Sequence, residues 1–149
     1  MRRAAMVLAT VALAVTAAGC DEQLSDLTGP TPNLEPTLTS IQREIFNTTD
    51  SSGRVACTQC HNTAGAQFAA GLNLVEGQSF QNLVGRNSVN KAGAVRVIPG
   101  NPDGSYLLHK LEGRSDIVGQ RMPRTGGPFL TDGQIAVIRR WIERGAPND

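Results

Sequence analysis

Apolar positions in this chain recur mostly at helical spacing, in segments separated by glycine, proline and asparagine. Leu38, Ile41, Ile45 and Phe46 fall on one helical face, with Thr39 and Gln42 reading as a capping box and Asn47 and Asp50 ending the segment. Phe80, Leu83 and Val84 share a side, which predicts a helix over residues 76–84 stopped by Gly85. Val95-Arg96-Val97-Ile98 reads as briefly extended and runs into Pro99-Gly100-Asn101-Pro102, which must turn. Ser105 then caps a short helix carrying Tyr106, Leu107, Leu108 and Leu111, and Gly113 ends it. The clearest stripe comes last: Ile135, Ile138, Trp141 and Ile142 follow a Thr131/Gln134 capping box. Asp132 sits at the positive end of that helix dipole, and Arg139, Arg140 and Arg144 lie toward the negative end. The pattern predicts an all-α domain with long loops over residues 37–149.

The N-terminal pattern is different. Arg2 and Arg3 precede an apolar run over residues 4–18, the layout of an export signal and too short to span a membrane. The run ends in Thr16-Ala17-Ala18-Gly19-Cys20, which resembles a bacterial lipoprotein signal, with Ala17 standing where leucine is usual. Residues 1–19 are thus expected to be removed and Cys20 to carry lipid; an ordinary secretory signal with an incidental cysteine is the alternative. Residues 21–36 hold three prolines and four acids and predict a flexible tether, so the domain should sit on the periplasmic side of a membrane, anchored through Cys20.

Chemistry enters with Cys57-Thr58-Gln59-Cys60-His61, a C-x-x-C-H motif. Two thiols at this spacing can add to the two vinyl groups of one porphyrin, and the adjacent imidazole then ligates the iron. A disulfide, a zinc site and a thioredoxin-like pair are the competing uses. Zinc would take Cys57, Cys60, His61 and His109, every Cys and His left once the leader is gone and Cys20 is lipidated. A thioredoxin-like pair would follow an apolar strand, whereas residues 51–56 form a polar loop. With Cys20 lipidated and two thiols on haem c, no cysteine is left over. Four Phe, one Tyr and one Trp make a core poor in aromatics, which a porphyrin would complete. The chain without haem is expected to be poorly folded.

Met122 is the only methionine outside the leader, and it lies in the Gly/Pro-rich stretch 119–128, followed by Pro123. A methionine usually fills gaps in a core. A lone one on such a loop is instead a candidate sixth ligand, and His/Met ligation suits electron transfer. His109, on the short helix, is the competing ligand.

These features together resemble the class I cytochrome c family: a helix ending shortly before C-x-x-C-H, Met122-Pro123 some sixty residues later, and a terminal helix closing in Trp141-Ile142-Glu143-Arg144-Gly145-Ala146. The resemblance covers nearly all of residues 37–147. It implies that the first and last helices cross and pack, with one haem held edge-exposed between them and the loop bearing the distal ligand. Many members supply a proline carbonyl to the proximal imidazole about a dozen residues after the motif. Here Gly71-Leu72-Asn73-Leu74 stands there, and a carbonyl of this stretch is the expected acceptor. Arg121, Arg124, Tyr106 and Trp141 are weaker candidates for haem propionates than for surface or packing roles.

The full chain carries a net charge of +1. Residues 37–149 alone carry 12 basic and 9 acidic side chains, with Lys110, Arg114, Arg121 and Arg124 near Met122, a rim suited to an acidic redox partner. No basic run suggests nucleic acid, and no catalytic carboxylates, nucleophile or phosphate loop suggest an enzyme. The sequence therefore predicts a membrane-tethered electron carrier. A haem-based sensor with an open iron, or a haem subunit of a larger oxidoreductase, are the alternatives.

Overall fold

The computed structural model describes residues 29–31, 33–64 and 69–149; the leader, Cys20 and the first part of the expected tether lie outside the described residues. Regular structure within them is helical, and extended backbone pairs only in isolated bridges, in line with the all-α expectation.

The first helix has two parts: α1, Leu38–Ile41, continues into a π-helical turn, Gln42–Phe46, in which the Asn47 N–H donates to the Gln42 carbonyl at 2.9 Å. Its cap is not the expected Thr39/Gln42 box. Thr37 occupies the cap position and accepts from the Ser40 N–H, because Thr39 is engaged by the far end of the chain. The Asp149 carboxylate accepts from the Leu38 N–H at 2.8 Å, and the Asp149 main-chain oxygen accepts from the Thr39 N–H at 2.9 Å. Two of the four orphan donors of the helix start are thus satisfied from 111 and 110 residues away, with the Asp149 carboxylate at the positive end of the dipole. Replacing Asp149 with alanine is expected to cost about 1 kcal/mol, measured by thermal melting, and an unchanged melting temperature would show the contact to be idle.

Helix α2, Ser79–Leu83, is shorter than the predicted 76–84, since residues 76–78 form a turn and Val84 is already extended, bridging to Val97. The 95–98 stretch is extended as expected and pairs with Asn87 and Ser105; the turn after it closes through the Asn101 N–H on the Ile98 carbonyl. Helix α3, Tyr106–Glu112, ends at Gly113 in the left-handed conformation. Ser105 precedes it, but its hydroxyl donates to the Asn101 carbonyl and accepts from the Ile98 N–H instead of capping the helix. Helix α4, Asp132–Glu143, carries the predicted Thr131/Gln134 capping box in full.

One core joins these elements, with Ile41, Ile45, Leu83, Val97, Leu108, Ile138, Trp141 and Ile142 all fully buried. Helix α4 packs more extensively on α3 than on α1, so the pairing of first and last helices is the lesser contact. Trp141 is anchored by its indole N–H on the Pro147 carbonyl at 2.9 Å, a packing role. The expected tether is partly docked: Leu34 is buried in the core, and the Gln134 amide donates to the Thr31 hydroxyl at 3.0 Å. The buried Leu34 side chain and the Thr31 bond to α4 together hold this segment on the domain.

Candidate cofactor site

The C-x-x-C-H motif begins on a single 3-10 turn, Cys57–Gln59, and is held by the end of the first helix. A helix end leaves its last carbonyls without intrahelical partners. Here the Ile45 carbonyl accepts from Arg54 Nη1 at 3.2 Å and lies 3.7 Å from Cys57 Sγ, while the Phe46 carbonyl accepts from the Thr58 hydroxyl at 3.1 Å. Widening into a π-turn presents these carbonyls to the motif.

Arg54 and Asp50 form a buried ion pair under that loop, with Nε–Oδ2 at 2.9 Å and side-chain exposures of 1% and 3%. Arg54 Nη1 also donates to the Val55 carbonyl and Nη2 to that of Thr48, and Asp50 accepts further from the Ser52 N–H and hydroxyl. Burial alone would raise the Asp50 carboxyl, but Ser52 and the Arg54 charge outweigh it and hold it below its ordinary value. Sequence reading missed this pair, because an i,i+4 spacing inside a loop carries no periodic signal.

Cys57 and Cys60 are both free thiols, the first partly covered and the second exposed. Burial pushes the Cys57 thiol up, with the nearby Arg54 charge opposing, the reverse of the depressed thiol of a redox-active pair. His61 is packed so that Nδ1 is buried with no hydrogen-bond partner. Burial, helped by the Arg96 charge, disfavours the imidazolium, while the Leu72 and Ala69 carbonyls lie near enough to the ring to favour it without reaching hydrogen-bonding geometry on Nδ1. A neutral imidazole with a buried N–H position beside a carbonyl is the state a metal-ligating histidine needs.

The stretch behind the ring is tied down at several points. The Leu74 N–H donates to the His61 carbonyl at 2.8 Å, and the Leu74 carbonyl accepts from Gln42 Nε2 at 2.8 Å. Gln42, expected in a capping box, is thus spent on the loop facing the candidate ligand, and its Oε1 stays buried without a partner.

Met122 is positioned by the same device at another helix end. Its N–H donates to the Lys110 carbonyl at 2.9 Å, and Arg121 Nε donates to the Leu111 carbonyl at 2.7 Å, both orphan acceptors at the end of α3. Lys110 Nζ returns to the Val118 and Gln120 carbonyls, and the Val118 N–H donates to the Tyr106 hydroxyl at 2.8 Å. The Met122 side chain packs, partly buried, against the core that Cys57 and Leu72 also touch.

His109 stands apart from this group. Its Nδ1 lies 2.8 Å from an Asp116 carboxylate oxygen and its Nε2 2.7 Å from the Asp103 carbonyl, so neither ring nitrogen is offered to a metal. With His109 committed there, the four zinc donors do not assemble, and no group of three or more His, Cys, Asp or Glu converges among the described residues. An iron porphyrin, which brings its own four nitrogens, would need no more from the protein than two thiols, one imidazole and one thioether.

The basic rim is partly neutralised. Arg114 pairs with Glu112 and Asp103, Lys91 with Asp116, and Arg121 stacks over the Phe129 ring at 4.1 Å, leaving Arg124 exposed. Hydrogen bonds from Lys91 and His109 hold the Asp116 carboxyl down at about 2, from an ordinary 3.8. A carboxyl depressed on folding stabilises the fold fully above its unfolded value and loses that contribution as the pH falls through the folded one. The 91–116 contact is therefore expected to weaken between pH 3.8 and about 2. In Asp116→Asn that portion of the acid melting curve should flatten; an identical pH dependence in the variant would contradict the assignment.

Compared with models of known protein families, with curated proteins and with solved structures, the chain gives no match.

Proposed function

We propose that this chain is a class I-type cytochrome c that carries one covalent haem c and passes single electrons, exported and tethered to a membrane through lipid on Cys20. The observation that carries the reading is the C-x-x-C-H segment with two free thiols beside an imidazole whose Nδ1 is buried, faces carbonyls and lacks a partner. Bound haem would supply a one-electron iron couple. Cys57 and Cys60 would hold it by thioethers, each S–H adding across a vinyl double bond so that sulfur takes one carbon and hydrogen the other. His61 and Met122 would ligate the iron, and with both in place no substrate would reach the metal. The residues do the rest: the helix-end carbonyls hold both loops in place, and packing against the core partly covers the thioether. An acidic redox partner would meet Arg124 and the remaining positive surface in a brief, salt-sensitive encounter.

The test is covalent attachment. Expressed with its own signal in a host that matures c-type cytochromes, the chain should retain haem through denaturation and show the corresponding mass increase. Cys57→Ser and Cys60→Ser together should abolish both. A wild-type chain with no retained haem would overturn the reading. Covalent haem with a high-spin iron that takes up carbon monoxide in the wild type would replace electron transfer by ligand sensing.

A further inference from the structure

The stretch facing the His61 imidazole is a tight turn under strain. The Leu72 N–H donates to the Ala69 carbonyl at 3.2 Å, and the two central residues are both left-handed, Ala70 at φ 58° and Gly71 at φ 64°. That is the dihedral pattern of a type I′ turn, in which alanine is a poor occupant of the first central place. A left-handed alanine is strained and persists only when its surroundings impose it.

Arg96 supplies the constraint. Its Nη2 donates to the Ala70 carbonyl at 2.8 Å and its Nη1 to the Asn82 carbonyl at 2.8 Å, so one planar guanidinium bridges the turn to the end of α2. The side chain leaves a well-fixed backbone. The Arg96 N–H donates to the Arg86 carbonyl at 2.7 Å, its carbonyl accepts from the Leu107 N–H at 2.9 Å, and its neighbour Val97 is fully buried. Fit on the other side is close as well, since a Cβ on Gly71 would lie 3.5 Å from Val89 Cγ2 and 3.9 Å from Arg96 Nη2.

We propose that Arg96 is a positioning residue for His61: its guanidinium clamps the 69–72 turn beside the imidazole, holds the Leu72 carbonyl where it can become the acceptor of the unpartnered Nδ1 position in the haem-loaded protein, and sets a permanent positive charge beside the candidate proximal ligand. The proposal rests on the haem reading above. Two effects follow that act differently on the iron. The clamp orders the ring and its N–H···O contact, and partners of this kind typically matter about 10–100-fold in metal affinity or activity. The charge favours the ferrous form, which carries one positive charge fewer.

Arg96→Lys and Arg96→Gln separate the two. Lysine keeps the charge but, as a compact ammonium on a flexible stem, lacks the planar fork that bridges both carbonyls; glutamine loses the charge as well. In the haem-loaded, reduced protein, exchange of the His61 ring N–H with solvent, read by NMR, is expected to speed up about tenfold or more in both variants, the low end of that range. The reduction potential of Arg96→Gln should lie below that of Arg96→Lys. A role confined to fold stability would lower the melting temperature and leave both readouts unmoved in folded protein. Wild-type exchange rates in a haem-loaded variant overturn the proposal, and if Arg96→Gln does not fold, the Arg96→Lys exchange rate alone decides it. A wild-type chain that takes up no haem is a different result, overturning the haem reading and this proposal with it.

Discussion

Arg54→Met is expected to destabilise the protein by about 3–5 kcal/mol, the cost of removing one partner of a buried ion pair and a large share of the 5–15 kcal/mol that holds a typical domain together. The substitution strands the Asp50 carboxylate, whose side chain is only 3% exposed, and removes the donor to the Ile45 carbonyl at the helix end. Desolvation, now opposed only by Ser52 and the residue-54 backbone N–H, would then push the Asp50 carboxyl upward. Chemical denaturation of the haem-loaded protein measures the effect, and a loss below about 1 kcal/mol, the range of a surface pair, would mean that the pair is solvated in solution. The sign of the pH dependence is a second check. In the wild type the lowered Asp50 carboxyl contributes fully above its ordinary 3.8 and loses that contribution in acid, so the gap between wild type and variant should narrow as the pH falls below about 4. Replacing both partners, Arg54→Met with Asp50→Leu, should recover much of the loss, because no buried charge is then left unpaired. The pair braces the loop that presents Cys57, so the single variant should also mature with less haem attached.

The largest functional change is expected from Met122→Ala. The wild type should show low-spin c-type bands in both oxidation states and a weak sulfur-to-iron charge-transfer band in the ferric form. The variant should lose that band completely, bind carbon monoxide when reduced, and have a lower reduction potential, since the thioether favours ferrous iron. Its fold should survive, because the loop is held by backbone and neighbouring side chains: the residue-122 N–H on the Lys110 carbonyl, Arg121 on the Leu111 carbonyl, and Lys110 on the Val118 and Gln120 carbonyls. A charge-transfer band that persists in Met122→Ala would remove Met122 from the iron. His109→Ala makes a useful companion. Both of its ring nitrogens face Asp116 and Asp103, so the spectrum should not change.

The sequence was read correctly where a signal lies within one turn of helix or one tight turn. Thr131 with Gln134, Gly113 after Glu112, and the turn from Ile98 to Asn101 depend on neighbours three or four residues apart, and each appears in the structure as expected. Ser105 is lost as a cap to nearby Ile98 and Asn101, and the other misreadings originate in partners farther along the chain. Thr39 is not a cap because Asp149 takes its N–H and hydroxyl, Gln42 is drawn to Leu74, Thr31 is bonded to α4, and Leu34 is buried in the core. The helix at Phe80 stops early because Val84 pairs with Val97.

By itself the sequence determined the candidate chemistry and the helical class. Cys57, Cys60 and His61 are picked out by spacing alone, Met122 by being the one methionine outside the expected leader, and the apolar stripe of α4 by its period. Local rules suffice for these, since bond lengths and helical pitch are the same in every protein. The supports of the site were decided only in the tertiary structure: the Arg54–Asp50 pair, the helix-end carbonyls that hold both ligand loops, and the Arg96 bridge between Ala70 and Asn82. A guanidinium or an unpaired carbonyl gains a partner only when folding excludes water from it, and which partner it meets depends on packing between segments that no local pattern connects.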